Sequence, residues 1–203
     1  MGAKRRPGLP TEEDEMSRKR RIPPGQTVTD DFPVLHHGSV PEIDLATWRF
    51  RIFGRVEEPL EMTYDEFRSL PSVTQVSDFH CVTTWSRLDN RWEGVASKEL
   101  MKRVRLKPEA RFVMVHAAPD FTANLPLEDF LADGVLFAWA HDRKELTPEH
   151  GWPLRLVVPH LYAWKSAKWV TGLEFMAEDR PGFWERRGYH PHGDPWAEER
   201  YGV

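Results

Sequence analysis

Short stretches of strand-forming residues, separated by turns and brief helical patterns, constrain the fold of this chain more than any other feature. Trp48, Phe50 and Ile52 alternate with arginines, which is the period-two pattern of a half-buried strand. Residues 73–79 have a strand-like composition, and runs typical of buried strands occupy residues 112–115, 135–139 and 154–158. The chain therefore predicts a structure built mainly from β-sheets.

Two short helices are predicted between these strands. Thr63 is followed three residues later by Glu66, which is the spacing of a capping box at a helix start. Ser97 is expected to cap a second helix that carries Leu100 and Val104. Because strands outnumber helices and the two do not alternate regularly, we predict an α+β fold with mixed β-sheets and short helices.

The length and composition favour one folded domain with extensions at both ends. The 203 residues, 40% of them hydrophobic, suffice for one sizeable core. Residues 1–31 are predicted to form a flexible polar tail, since few large apolar side chains are available there to offset the entropy of ordering. The domain itself is placed at 32–179. Residues 180–203 are rich in aromatic residues and are expected to pack on the domain or on a partner.

Charge and composition exclude several partner classes. The formal net charge of -4 gives no overall field that would attract nucleic acid or anionic lipid. No apolar run approaches the roughly 20 residues of a membrane span. Arg5 and Arg6 are not followed by the apolar stretch of a secretory signal, and a single cysteine suits a reducing compartment. We therefore predict a cytoplasmic protein without a membrane span.

The single cysteine, Cys81, is the first candidate for chemistry. It is predicted just after a strand, a position where catalytic groups often lie, and polar residues surround it in the segment 78–86. A structural cysteine usually lies in an apolar run instead. His80 is adjacent and could support a thiolate. Two chemistries remain open from these residues alone: a nucleophilic Cys-His pair, or ligation of a soft metal.

Other cofactor signals are weaker. Histidine pairs occur at His36-His37 and at His190 with His192, but short pairs in polar loops are mostly solvated, and no zinc motif accompanies them. No glycine-rich nucleotide motif opens a helix. By contrast, Arg155, Lys165, Ser166 and Lys168 form a group whose donors could converge on a phosphate. The alternative is an amphipathic strand whose lysines face water.

Four segments carry a resemblance to a known family. Residues 79–86 (FHCVTTWS), 122–129, 150–155 (HGWPLR) and 165–169 (KSAKW) resemble, in this order and spacing, the molybdopterin domain of the sulfite oxidase family. That family includes the catalytic subunit of protein-methionine-sulfoxide reductase, and this chain resembles its small stand-alone members. The resemblance covers residues 32–176 and implies that family's fold for the domain at 32–179.

The resemblance implies roles for particular residues. Cys81 would be the molybdenum ligand and the catalytic residue. The remaining candidates would hold the pterin. His150 and Arg155 would contact it, and Lys165, Ser166 and Lys168 would bind its terminal phosphate. His36 would belong to an early loop that covers the pterin. His116 matches a cofactor contact of the family only loosely. The implied cofactor is a mononuclear molybdenum-molybdopterin without a nucleotide.

Departures from the family pattern bear on substrate and partner. No haem-binding domain is expected before residue 32, so electrons are expected to pass to or from a separate cytochrome, flavoprotein or ferredoxin. Sulfite oxidases carry an arginine soon after the cysteine, whereas Thr83 and Thr84 follow here and Arg87 is the first cation. This departure argues against sulfite as the substrate.

These observations predict a molybdenum-dependent oxidoreductase that transfers an oxygen atom, in a two-electron reaction, to or from a small sulfoxide, N-oxide or sulfur oxyanion. Trp85, Trp92 and Trp164 are candidates to line its pocket or to pack in the core. One alternative is a metal-free hydrolase or transferase that uses Cys81 and His80. Another is a non-catalytic module that binds a protein through its aromatic C-terminal segment.

Overall fold

A computed structural model describes residues 12–202 of the chain. The first part of the predicted tail, residues 1–11 with Arg5 and Arg6, lies outside the described residues. In chain order the strands are β1 Thr27–Val28, β2 Arg49–Gly54, β3 Leu60–Thr63, β4 Val73–His80, β5 Trp85–Ala96, β6 Phe112–Ala117, β7 Phe121–Pro126, β8 Leu136–His141, β9 Lys144–Glu145, β10 Arg155–Val157 and β11 Val170–Met176. The α-helices are α1 Glu12–Lys19, α2 Tyr64–Arg68, α3 Ser97–Met101 and α4 Leu127–Phe130.

The strands form two mixed sheets. The first has the order β1-β5-β8-β10, with β4 also paired to β5 and β9 to β8. Its β1 runs parallel to β5, and the other pairs are antiparallel. The second sheet has the order β3-β2-β11-β6-β7, in which only β2 and β11 are parallel. The predicted fold class, α+β with mixed sheets and short helices, is confirmed.

The main core joins the two sheets through large aromatic side chains. Phe50 of β2 and Phe137 of β8 are both fully buried, and their ring centroids lie 5.4 Å apart in an edge-to-face arrangement. Phe67 of α2 contacts both rings. Such rings bury large apolar areas, and burial of apolar area is a major favourable contribution to folding. The predicted alternation at residues 48–52 is confirmed, because Trp48, Phe50 and Ile52 are all buried.

The two predicted helix starts have different outcomes. At α2, the Glu66 amide donates to Thr63 Oγ1 (3.3 Å) and the Thr63 amide donates to Glu66 Oε2 (2.7 Å), which confirms the capping box. At α3 the prediction that Ser97 is the cap is wrong, since Ala96 occupies that position. Strand β5 continues directly into the helix, and the Ser97 amide donates to Val135 O (2.9 Å), so Ser97 lies within the first turn.

No helix within residues 12–202 is long and apolar enough to cross a membrane.

The segment before residue 32 contains more structure than the sequence predicted. Its described part includes α1 and β1, and Arg21 forms ion pairs with Asp78 and Asp89. Gln26 donates through Nε2 to Cys81 O at 3.0 Å. Backbone pairing and charged side chains hold this segment in place. Such interactions do not depend on apolar residues, so the low apolar content of the segment did not indicate them.

The aromatic C-terminal segment, 180–203, contacts the domain along its described length. The Phe183 amide donates to Thr122 O (2.8 Å), and the Tyr162 amide donates to Gly193 O (2.8 Å). Gly193 has a φ of 89°, and a Cβ there would lie 2.7 Å from the Trp164 ring, so the close approach requires glycine. The boundaries of the three segments, 1–31, 32–179 and 180–203, stay predictions.

Candidate active site

Cys81 lies immediately after β4, as the sequence predicted. The chain turns sharply there, because the Cys81 amide donates to Trp85 O (2.9 Å) and the Thr84 amide donates to Cys81 O (3.1 Å). Thr84 adopts the left-handed conformation, with a φ of 73°. The Thr83 hydroxyl donates to Cys81 Sγ at 3.1 Å. Burial raises the pKa of the Cys81 thiol, and the hydrogen bond from Thr83 opposes this effect by stabilising the thiolate.

His80 takes part in a different interaction. Its Nδ1 lies 2.8 Å from Ser86 Oγ, and burial lowers the pKa of the imidazole. The same Ser86 hydroxyl lies 3.3 Å from Gln26 Oε1. The sulfur of Cys81 is therefore contacted by Thr83, whereas the imidazole of His80 is bound to Ser86. This arrangement gives no support to a Cys-His nucleophilic pair.

Arg155 of β10 is a fully buried cation. Its Nη1 donates to His150 O (3.2 Å), its Nη2 donates to Ser166 O (3.3 Å), and its Nε has no hydrogen-bond partner in the described chain. The guanidinium carbon lies 5.1 Å from the Phe79 ring centroid and 5.3 Å from that of Trp92. Burial lowers the pKa of Arg155 to about 9. Within residues 12–202 no carboxylate forms a salt bridge with it, so a buried positive charge lacks its counter-charge.

Lys168 is a second cation, and in the part of the chain that the structure describes its hydrogen bonds go only to backbone oxygens. Its Nζ donates to Leu35 O (2.8 Å) and to Glu149 O (2.5 Å). Burial, together with the neighbouring Arg155 charge, lowers the pKa of Lys168 to about 7. The Glu149 carboxylate and, to a smaller extent, the Cys81 thiolate act in the opposite direction. Lys168, Arg155 and Cys81 therefore interact electrostatically, and such perturbed groups are typical of functional sites.

His150 and His36 lie beside these cations. His150 Nε2 is 3.0 Å from Phe32 O, and its Nδ1 is 3.0 Å from Thr147 Oγ1. The Phe32 ring stacks on the imidazole with a centroid distance of 4.7 Å. His36 Nδ1 contacts Gly38 O (3.0 Å), and its ring lies 5.7 Å from that of Trp169. The loop that carries His36 and Gly38 is therefore adjacent to the segment that carries Lys168.

Lys165 and Ser166 have contacts within the protein. The Lys165 ammonium is fully buried and lies 2.7 Å from Glu185 Oε1, 2.6 Å from Pro191 O and 2.9 Å from Asn124 O. Ser166 Oγ accepts a hydrogen bond from the Val158 amide at 2.9 Å. The Lys165 ammonium thus points toward the C-terminal segment. By contrast, burial and the Arg155 charge together lower the pKa of Lys168. In the structure the Lys165 ammonium is paired with Glu185, and its phosphate contact stays a prediction.

The three candidate pocket tryptophans belong to two clusters. Trp92 is fully buried beside Phe79 and Arg155. Trp164 packs with Cys81, Val82 and Tyr162, and Trp85 contacts both clusters. His116 is on the second sheet, where its Nε2 lies 3.1 Å from Glu174 Oε2.

Sequence reasoning missed three residues that contact this region. Phe32 packs against His150 and Arg155, Gln26 binds the carbonyl of Cys81, and Arg200 binds that of Val82. Each lies far along the chain from the residue that it contacts, so no local spacing pattern could have identified it.

Comparison with known proteins establishes the family. A profile described as "Oxidoreductase molybdopterin binding domain" matches residues 37–184, which is most of the chain. The chain belongs to this molybdopterin-binding family. The "Uncharacterized oxidoreductase YuiH" of Bacillus subtilis (strain 168) is 50% identical over 182 residues, covering 89% of this chain and 92% of the relative.

More distant relatives agree with this assignment. The "Protein-methionine-sulfoxide reductase catalytic subunit MsrP" of Campylobacter jejuni is 30% identical, over 68% of this chain and 52% of the relative. The sulfane dehydrogenase SoxCD from Paracoccus pantotrophus has the same fold, with a TM-score of 0.66 and 24% identity. This structural similarity covers 75% of the present chain and 43% of the SoxCD chain.

The resemblance to the sulfite oxidase family, the fold class and the assignment as an oxidoreductase are confirmed. Membership of this family implies a molybdenum cofactor and sets aside both the metal-free hydrolase and the non-catalytic module. The roles of the individual site residues stay predictions.

The buried ion pair between Lys165 and Glu185 yields a stability prediction. The two side chains are 0% and 3% exposed, so Glu185→Gln would leave the ammonium without its counter-charge. We expect the free energy of unfolding to fall by about 3 to 5 kcal/mol, measured by urea denaturation.

Two matched variants make this test specific. Lys165→Met combined with Glu185→Gln should recover part of the lost stability, because no unpaired charge remains buried. Asp133→Asn removes the exposed pair with Lys98 and should change little. A Glu185→Gln protein as stable as the unmodified chain would contradict a stabilising role for this pair.

Proposed function

We propose that this protein is a molybdenum-dependent oxidoreductase that carries out two-electron oxygen-atom transfer on a small sulfoxide, N-oxide or sulfur oxyanion. The observation that carries the proposal is the group formed by Arg155, Lys168 and the Cys81 thiol. One fully buried and one partly buried cation, neither with a carboxylate salt-bridge partner among residues 12–202, are suited to an anionic group, and a thiol is suited to a soft metal.

The residues present fit a molybdenum-molybdopterin group, of the mononuclear form without a nucleotide. The unpaired Arg155 Nε is a buried donor available to such a group. Arg155 and Lys168 would hold its phosphate, His150 and the Ser166 hydroxyl would add hydrogen bonds, and His36 would lie at its cover. Cys81 would be the metal ligand and catalytic residue. When bound, the group supplies the two-electron redox change and the exchange of the oxygen atom.

The protein's own residues prepare this site. The hydroxyl of Thr83 donates to Cys81 Sγ and thereby favours the anionic form of the sulfur. An anion beside Lys168 would raise the pKa of that ammonium from about 7 and keep it charged at neutral pH. Val82, Tyr162 and Trp164 pack around Cys81 and limit the access of water to the sulfur.

The decisive experiment is cofactor analysis of protein produced in molybdate-replete cells. We expect about one molybdenum per chain by elemental analysis, together with the fluorescence of a released, oxidised pterin. Protein that folds normally but contains neither molybdenum nor pterin would refute the proposed function. This measurement requires no knowledge of the substrate.

The proposed substrate class follows from the relatives. One is named as a catalytic subunit that reduces protein methionine sulfoxide, and the similar solved structure is named as a sulfane dehydrogenase. Both names refer to sulfur chemistry. No arginine occurs between Cys81 and Arg87, which favours a neutral sulfoxide or N-oxide over the sulfite dianion. A cytoplasmic location stays a prediction from the single thiol.

A separate electron partner is part of the proposal. The MsrP relative is named as a subunit, and the sequence contains no glycine-rich nicotinamide or flavin motif. The purified holoenzyme is therefore expected to turn over with artificial one-electron dyes and to show no activity with NADH or NADPH alone. Turnover supported by a nicotinamide nucleotide without an added carrier would rule out a cytochrome, flavoprotein or ferredoxin as a necessary partner.

A further inference from the structure

The turn that carries Cys81 is held by side chains from outside residues 37–184, the region that the family profile matches. Gln26 Nε2 donates to Cys81 O at 3.0 Å. From the opposite end of the chain, Arg200 Nη1 donates to Val82 O at 2.6 Å, and its Nη2 donates to Pro24 O at 3.3 Å. The two terminal segments therefore meet at this turn.

Arg200 lies in a confined position. Its side chain is 16% exposed, and its guanidinium carbon is 5.1 Å from the centroid of the Tyr162 ring. Glu198 Oε1 is 3.8 Å away, a separation longer than a hydrogen bond. Tyr162 and Val82, which the guanidinium contacts, pack in one cluster with Cys81, so the Arg200 charge lies next to residues that surround the sulfur. A partly desolvated cation at this position has a larger electrostatic effect than one in water.

Several contacts fix the segment that carries Arg200. His192 Nε2 lies 3.2 Å from Asp129 Oδ2, and its Nδ1 lies 2.9 Å from Glu199 Oε2. The Glu199 amide donates to Asp194 O at 3.0 Å. These contacts hold Glu199, the residue before Arg200, against the domain. The backbone at Arg200 is therefore fixed, which restricts the position of its guanidinium.

We infer that Arg200 is a positioning residue for the metal-ligand turn: it fixes the turn through the Val82 carbonyl and places a positive charge at the residue that follows Cys81. This inference rests on the proposed function, because it takes Cys81 as the ligand. A cation close to a metal ligand stabilises the more electron-rich, reduced form of the centre. Loss of the Arg200 charge therefore shifts the reduction potential of the molybdenum to more negative values.

The test compares three variants of the full-length protein. Arg200→Gln removes the charge and keeps a hydrogen-bond donor, and Arg200→Lys keeps the charge. Arg186→Gln is the matched control, because Arg186 lies on the same C-terminal segment and binds a backbone carbonyl, that of Pro181. Each holoenzyme is titrated redox-potentiometrically with the Mo(V) paramagnetic signal as readout. Amide hydrogen exchange of residues 81–85 is measured in cofactor-free protein.

The inference predicts a negative potential shift and faster exchange at residues 81–85 in Arg200→Gln. Arg200→Lys should restore most of the potential, and Arg186→Gln should match the unmodified protein in both measurements. Unchanged potential and exchange in Arg200→Gln would overturn the inference, as would a lysine variant whose potential is as low as that of the glutamine variant. If Arg200→Gln retains no molybdenum, its potential cannot be measured and amide exchange in the cofactor-free protein is the test. Unchanged exchange at residues 81–85 would then overturn the inference.

A failure of the proposed function would look different. In that case the unmodified protein itself would contain no molybdenum and give no Mo(V) signal.

Discussion

Replacement of Cys81 with serine is expected to abolish oxygen-atom transfer while the pterin stays bound. A serine hydroxyl is a harder and more basic donor than a thiolate, so the ligand field of the metal would change. The proposed pterin contacts come from Arg155, His150 and Lys168, on other parts of the chain. This variant should therefore lose activity while its pterin content stays unchanged.

Spectroscopy distinguishes loss of a metal ligand from loss of a nucleophile. The oxidised unmodified protein should show a charge-transfer band from the Cys81 sulfur to molybdenum, and Cys81→Ser should lose this band at equal pterin content. Thr83→Val is the matched control, because it removes the hydroxyl that donates to Cys81 Sγ but leaves the sulfur. It should retain the band at a displaced wavelength. An unchanged metal spectrum in Cys81→Ser would show that this residue is not the ligand.

The second large effect is expected at the two cations. Charge-assisted hydrogen bonds contribute roughly 1.5 to 3 kcal/mol each, so Arg155→Ala with Lys168→Ala should weaken cofactor binding by roughly two to four powers of ten. The double variant should purify largely without pterin or molybdenum. Fluorescence of the oxidised pterin and elemental analysis measure this directly.

Controls separate the loss of charge from general destabilisation. Because Arg155 is fully buried, its replacement with alanine also leaves a cavity. Arg155→Met with Lys168→Ala preserves most of the volume and should be equally empty, whereas Lys102→Ala with Arg103→Ala removes two cations on the surface of the domain and should load normally. Full cofactor content in the Arg155→Met double variant would contradict the proposed phosphate site.

The sequence by itself determined the features that depend on neighbouring residues. The alternation at residues 48–52 predicted a strand, since side chains on a strand point to opposite faces. The capping box was predictable because Thr63 and Glu66 interact across one helical turn. The position of Cys81 after a strand, and the family resemblance of residues 150–155 and 165–169, were likewise visible in short segments.

Only the tertiary structure decided which distant groups meet. His150 contacts the Phe32 carbonyl, and Arg200 contacts the Val82 carbonyl, each across 118 residues of sequence. The direction of the Lys165 ammonium depends on acceptors 26 and 41 residues away, so composition could not distinguish a phosphate contact from an internal ion pair. A periodic pattern specifies the face on which a side chain lies, whereas its partner depends on how the sheets and the terminal segments pack.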